Sequence, residues 1–219
     1  MLRILLILVS FGLLGCATMP ATLVQEREKK VLIQEEEKEA IYSDGIKVKL
    51  TKEEIQEAID WGAENKDSPE NIDSAYRFGE WESYKECGYI STKFYRLARF
   101  SCQSARSMYK SLTKSDIKGE LACNSLTIVI YTYGDKIDFA QHYYMVLKQG
   151  DKIIQPKPGD VIADDWADMT ARWPKSPSYR ARVMAFFRYS KINPKAKTTI
   201  ILDQGWGESK FEVDFSRYK

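Results

Sequence analysis

Hydrophobic residues change their spacing along this chain, and the change divides it into two kinds of structure. From Thr51 the apolar positions Ile55, Ala58, Ile59 and Gly62 fall three or four apart, and Thr51 with Glu54 has capping-box spacing, so TKEEIQEAIDWGAENKDS predicts a helix. Ser68-Pro69 restarts the chain with proline at a first-turn position, and Ile72, Ala75 and Tyr76 can face a core over two turns. The longest stripe lies in STKFYRLARFSCQSARSMYKSL, where Phe94, Leu97, Ala98, Cys102 and Ala105 continue through Met108 and Tyr109 to Leu112 on one side of a helix. Thr113 with Asp116 can cap one more short helix ending near Ala122.

After Cys123 the period drops from 3.6 to 2. SLTIVIYTY, Ser125 to Tyr133, is β-branched and aromatic and ends at Gly134-Asp135, as a largely buried strand would. HYYMVLKQGDKIIQP reads as a hairpin turning at Gly150-Asp151 and closed by Pro156 and Pro158. In Tyr179 to Ser190, Val183, Ala185, Phe187 and Tyr189 share one face while Arg180, Arg182 and Arg188 project from the other. A final hairpin turns through Gly205-Trp206-Gly207, with Phe211, Val213 and Phe215 alternating against Lys210, Glu212 and Asp214. Helices first and hairpin-linked strands afterwards predict an α+β fold, N-terminal helices packed on a C-terminal antiparallel β-sheet or small β-sandwich, and not a doubly wound parallel sheet.

The opening residues belong to neither pattern. Met1 to Leu14 carries Arg3 and then about eleven apolar or small residues, the length of a secretory core and well short of the roughly 20 a spanning helix needs. Leu13-Leu14-Gly15-Cys16 closes that run and resembles the lipobox of bacterial lipoproteins. The resemblance implies cleavage before Cys16, a diacylglyceryl group on its thiol and an acyl group on its new amino terminus, a covalent lipid in place of a cofactor. Two or three chains, at about 0.8 kcal/mol per buried methylene, anchor stably without spanning the membrane. Ala17 follows the cysteine; by the family's sorting rule, which holds aspartate at that position in the inner membrane, this chain is expected on the outer membrane, facing the periplasm.

These features divide the chain into residues 1–15 as a cleaved signal peptide, 16–48 as lipidated cysteine and tether, and 49–219 as one soluble domain. In the tether QEREKKVLIQEEEKEA is strongly charged, and its three adjacent apolar residues make no face, so it reads as a solvated, partly helical stalk. Over the whole chain 33 Lys+Arg balance 31 Asp+Glu without a basic arm, which argues against a nucleic-acid partner. The expected partners are the membrane, through the lipid, and an envelope protein or cell-wall glycan.

Lipidation of Cys16 leaves three of the 4 cysteines, Cys87, Cys102 and Cys123, in an oxidising compartment. Cys102 lies on the apolar stripe, whereas Cys87 and Cys123 bracket the helical hairpin and form the preferred disulfide; three unpaired thiols are the alternative. The single histidine, His142, stands at the start of a strand downstream of Cys87, an order that resembles papain-like and peptidoglycan-cleaving cysteine hydrolases. The resemblance implies a thiol nucleophile at a helix N-terminus, His142 as base, and an orienting side chain such as Gln155, Asp160 or Asp164. No family motif surrounds these residues, so the main expectation is a non-catalytic binding or structural domain, with the hydrolase as its competitor. One histidine and no close CxxC exclude the usual zinc spacings, and the Asp164-Asp165 and Asp168 cluster lacks the glycine and terminal glutamate of a calcium loop. Three tryptophans on connections, Trp166, Trp173 and Trp206, are the candidate binding residues. Trp206 at a hairpin tip is expected to be exposed, and the other two to pin their long segment to the domain.

Overall fold

The computed structural model describes residues 45–107 and 112–219. Cys16, the signal segment and almost all of the tether lie outside the described residues, as do Met108 and Tyr109. Among the described residues four α-helices are present: α1 (Lys52–Glu64), α2 (Glu70–Ser74), α3 (Lys93–Arg106) and α4 (Lys114–Ala122). The Thr51 hydroxyl accepts from the Glu54 backbone N–H at 3.2 Å while the Glu54 carboxylate accepts from the Thr51 N–H at 2.8 Å, so the capping box starts α1 as its spacing predicts. Gly62 lets α1 approach α3, since a Cβ there would stand 2.2 Å from the Ala98 carbonyl oxygen.

The strands are β1 (Arg77–Gly79), β2 (Cys87–Ser91), β3 (Ser125–Gly134), β4 (Tyr144–Gln149), β5 (Lys152–Ile154), β6 (Val161–Ala163), β7 (Asp168–Met169), β8 (Tyr179–Arg188), β9 (Lys197–Asp203) and β10 (Glu208–Asp214). One antiparallel sheet runs β1-β2-β3-β8-β6, with β7 also on β8, and a second runs β10-β9-β4-β5. The molecule is thus α+β with two antiparallel sheets, most of the strands following the helices.

Both sheets contribute to one core. Ile128, Ile130, Val183 and Ala185 of the first and Met145, Leu147, Ile200 and Leu202 of the second are all solvent-inaccessible and belong to one hydrophobic cluster. Phe78 meets Phe211 edge-on at 5.3 Å between β1 and β10. Glu86 ties the sheets with polar contacts: it accepts from the Thr132 hydroxyl at 2.5 Å and Gln204 Nε2 at 2.7 Å, and from the Ser209 hydroxyl. At one end of the strands the Thr92 hydroxyl caps α3 by accepting from the Tyr95 N–H and donates to the carbonyl of Lys219. At the other end lie the 135–143 connection and the Gly205 turn, where φ is +80° and the Gln204 N–H bonds the Gly207 carbonyl at 2.9 Å.

Four expectations change. Ile46 is buried and its N–H bonds the Pro194 carbonyl, so the folded part begins inside the stretch expected as tether, not at 49. Helix α3 ends at Arg106, with Ser107 already extended and Ala105 exposed, so on this helix the expected stripe is buried only as far as Ser104. Cys87 opens a strand and not a helix. The Cys87–Cys123 disulfide does not form. Cys87 pairs with Tyr131, and Cys123 precedes the far end of β3, roughly 25 Å away at about 3.3 Å per residue, beyond any S–S reach. Cys87, Cys102 and Cys123 are free thiols.

Candidate functional site

Strand alternation sends the residues between the core positions to the outer face of the first sheet. Register places Cys87 opposite Tyr131, Tyr131 opposite Arg182, Tyr133 opposite Arg180 and Arg77 opposite Tyr89, so arginines and tyrosines share that face. Asp73 and the α3 side chains Tyr95 and Arg99 wall it at one end, and Trp81, on the β1–β2 connection, walls it at the other. Between them runs a groove of about 420 Å³.

Most charges in this groove are already paired. Arg99 Nε lies 3.2 Å from Asp73, whose carboxylate also accepts from the Tyr95 hydroxyl at 2.9 Å. Arg180 lies 3.6 Å from Asp168, with its guanidinium over the Tyr131 ring at 5.5 Å. Glu82 is held by Lys85 at 3.2 Å. Arg77 differs: its guanidinium stacks on Trp81 at 4.1 Å, it has no ion pair among the described residues, and its Nε is buried without a hydrogen-bond partner. Burial pushes the Cys87 thiol up against the opposing pull of Arg77 and Arg180, and burial likewise raises the Tyr89 and Tyr133 phenols. Tyr95 is raised furthest, first by burial and then by the charge of Asp73. At neutral pH the groove therefore offers guanidinium and phenol donors, and its thiol stays protonated.

The hydrolase pair is not assembled. Cys87 points to the outer face while its neighbour Glu86 reaches the inter-sheet contacts, and His142 stands exposed before β4 of the second sheet, outside the groove lining. Cys102 donates to the Asn65 carbonyl inside the helical layer, and Cys123 caps the end of α4. Burial raises the Cys123 thiol, but hydrogen bonds with Ser125 and the charges of Arg96 and Lys93 outweigh it and leave this thiol below its ordinary value. None of the three has His142 as a hydrogen-bond partner among the described residues.

The three candidate tryptophans are exposed: Trp166 at 72%, Trp173 at 52% and Trp206 at 81%. Trp166 and Trp173 therefore do not pin their segment by burial. Ala167 and the Thr170–Ser178 backbone contact do that, and the Trp173 Nε1 only donates to the Tyr179 hydroxyl at 3.3 Å. Trp166 and Trp206 both flank the 135–143 connection: Gln141 Nε2 donates to the Asp165 carbonyl at 3.1 Å, and Trp206 stands beside Tyr143. No three metal-ligating side chains converge among the described residues.

Sequence reading missed the groove because β1 and β2 span only three and five residues, too few for a period to register. Its one legible trace is the polar row Arg180 and Arg182. No family model matches the chain, and no curated protein matches it.

Proposed function

We propose that this is the folded domain of a bacterial envelope lipoprotein, anchored through acylated Cys16 on the outer membrane and facing the periplasm, which binds a partner without catalysing a reaction. The supporting observation is the outer-face groove, where guanidinium and phenol donors line a concave surface. Grooves of this size that combine a few directed polar groups with aromatic walls are the usual form of a ligand site. An envelope protein or a cell-wall glycan is the partner expected from that location, with the exposed Trp166 and Trp206 providing a second contact area.

The test is cross-linking in intact cells from a photoreactive residue at position 133 in the groove and, separately, at position 206. A discrete adduct from either position, lost on Arg180→Ala or Trp206→Ala respectively, supports binding. A chain that cross-links to nothing overturns the binding reading, and a His142→Gln variant that folds but fails to complement a deletion strain overturns the non-catalytic one. For the anchor, Cys16→Ser should release the protein from the membrane fraction or leave an uncleaved precursor; unchanged membrane association and mature mass would reject it.

A further inference from the structure

Resting on the binding reading above, we propose that the groove is a receptor for a single carboxylate, held by Arg77, on a small ligand that fits beside Trp81 and Tyr131. Of the charged side chains that line the groove, Asp73 is paired with Arg99, Arg180 with Asp168, and Glu82 shares Lys85 with Glu80 outside the lining. Arg77 is left with no opposite partner among the described residues. A guanidinium without an ion pair, in a partly enclosed site, is the group a monoanion would meet.

Geometry narrows the anion. One face of the Arg77 guanidinium is covered by the Trp81 ring at 4.1 Å, which fixes the plane of the fork and leaves its N–H edges to bond. Its Nε is buried and has no acceptor, so the edge left to a ligand is that of the two terminal Nη atoms. The open edge is thus the planar pair of donors that a carboxylate engages with two parallel hydrogen bonds. Trp81 is itself held, its Nε1 donating to the Phe78 carbonyl at 3.0 Å, so the stacked pair is built before any ligand arrives. Cys87, protonated on the groove floor, brings no competing negative charge. The volume of about 420 Å³ admits a monosaccharide or a short peptide end and not a folded surface.

A carboxylate reaches such a site from an acidic sugar or from a peptide C-terminus, and matched probes separate the two. Titration calorimetry on the full-length protein in detergent would compare N-acetylmuramic acid with N-acetylglucosamine, and N-acetyl-alanyl-alanine with its C-terminal amide. In at least one pair the acid should bind about tenfold or more tightly than its neutral partner, which also names the source. Arg77→Gln should erase that ratio. Trp81→Leu, at a side chain that is 42% exposed and so dispensable to the core, should reduce it by releasing the guanidinium from its plane. Equal binding within both pairs, a ratio that survives Arg77→Gln, or dimethyl phosphate binding as tightly as the better acid would overturn the proposal. Groove cross-links that persist in cells alongside any of those results would leave the binding reading standing and remove only the carboxylate.

Discussion

The two faces of β3 and β8 are made from the same strands, one residue apart, and differ in almost everything else. Inward, Leu126, Ile128, Ile130, Val183, Ala185 and Phe187 are completely enclosed by the second sheet and its neighbours. Outward, Tyr131, Tyr133, Arg180 and Arg182 are half-buried or exposed and carry hydrogen-bond donors. A period of two lets one strand pair supply the fold and a candidate binding surface at once, because a change on one face need not propagate through the sheet. The inner face has traded polarity for packing, and the outer face has kept polar groups that packing would have to satisfy.

The strongest way to break this comparison is to empty the inner face. Ile130→Ala should cost about 2–5 kcal/mol through lost burial and a residual cavity, read as a lower urea midpoint at unchanged slope. If the loss is under about 0.5 kcal/mol, the size expected of a surface substitution, the two faces do not divide the work as described.

Alkaline titration sharpens it next, because the buried and groove tyrosines keep their protons longer than an unfolded chain would. Tyr89, Tyr95 and Tyr133 are all raised, and burial pushes Tyr218 up to about 12. Below about pH 10 the neutral forms are present in both states, and their contribution is intact. Above it the unfolded state releases protons first, so stability should fall between about pH 10 and 12, by roughly 2–3 kcal/mol from Tyr218 alone. Thermal melts with tyrosinate absorbance recorded on the same samples would check this. A flat melting temperature across that window would refute it.

A smaller effect is expected at the seam between the sheets. Glu86→Ala leaves the Thr132 hydroxyl, Gln204 and Ser209 without their shared acceptor and should cost about 1–3 kcal/mol, whereas Glu86→Gln, which keeps one acceptor, should cost less. Denaturant melts of the two variants give the order, and equal losses would show that the carboxylate is not the acceptor that matters.

The smallest effect belongs to the outer face. Arg180→Ala should change stability by no more than about 0.5 kcal/mol, because its pairing with Asp168 is solvent-exposed. The same variant should nevertheless weaken the groove cross-link. A stable variant with undiminished cross-linking would place the partner elsewhere, with Trp206 as the next position to examine.

How much of this was legible beforehand depends on length and on period. The Thr51 capping box, the stripe from Phe94 to Cys102, and the alternation of β3, β8, β9 and β10 are local rules repeated over enough residues to be read directly, and they determined the α+β class. The expectation drawn from the lipobox-like Leu13-Leu14-Gly15-Cys16 falls outside the described residues. What only the tertiary structure decided is which separated pieces meet. The register of β2 against β3 carries Cys87 a strand length from Cys123, and the packing of α2 and α3 beside that sheet brings Asp73 and Arg99 to the same groove as Arg77 and Arg180. Neither follows from sequence pattern, because a period tells which way a side chain faces and says nothing about which other strand or helix lies across from it.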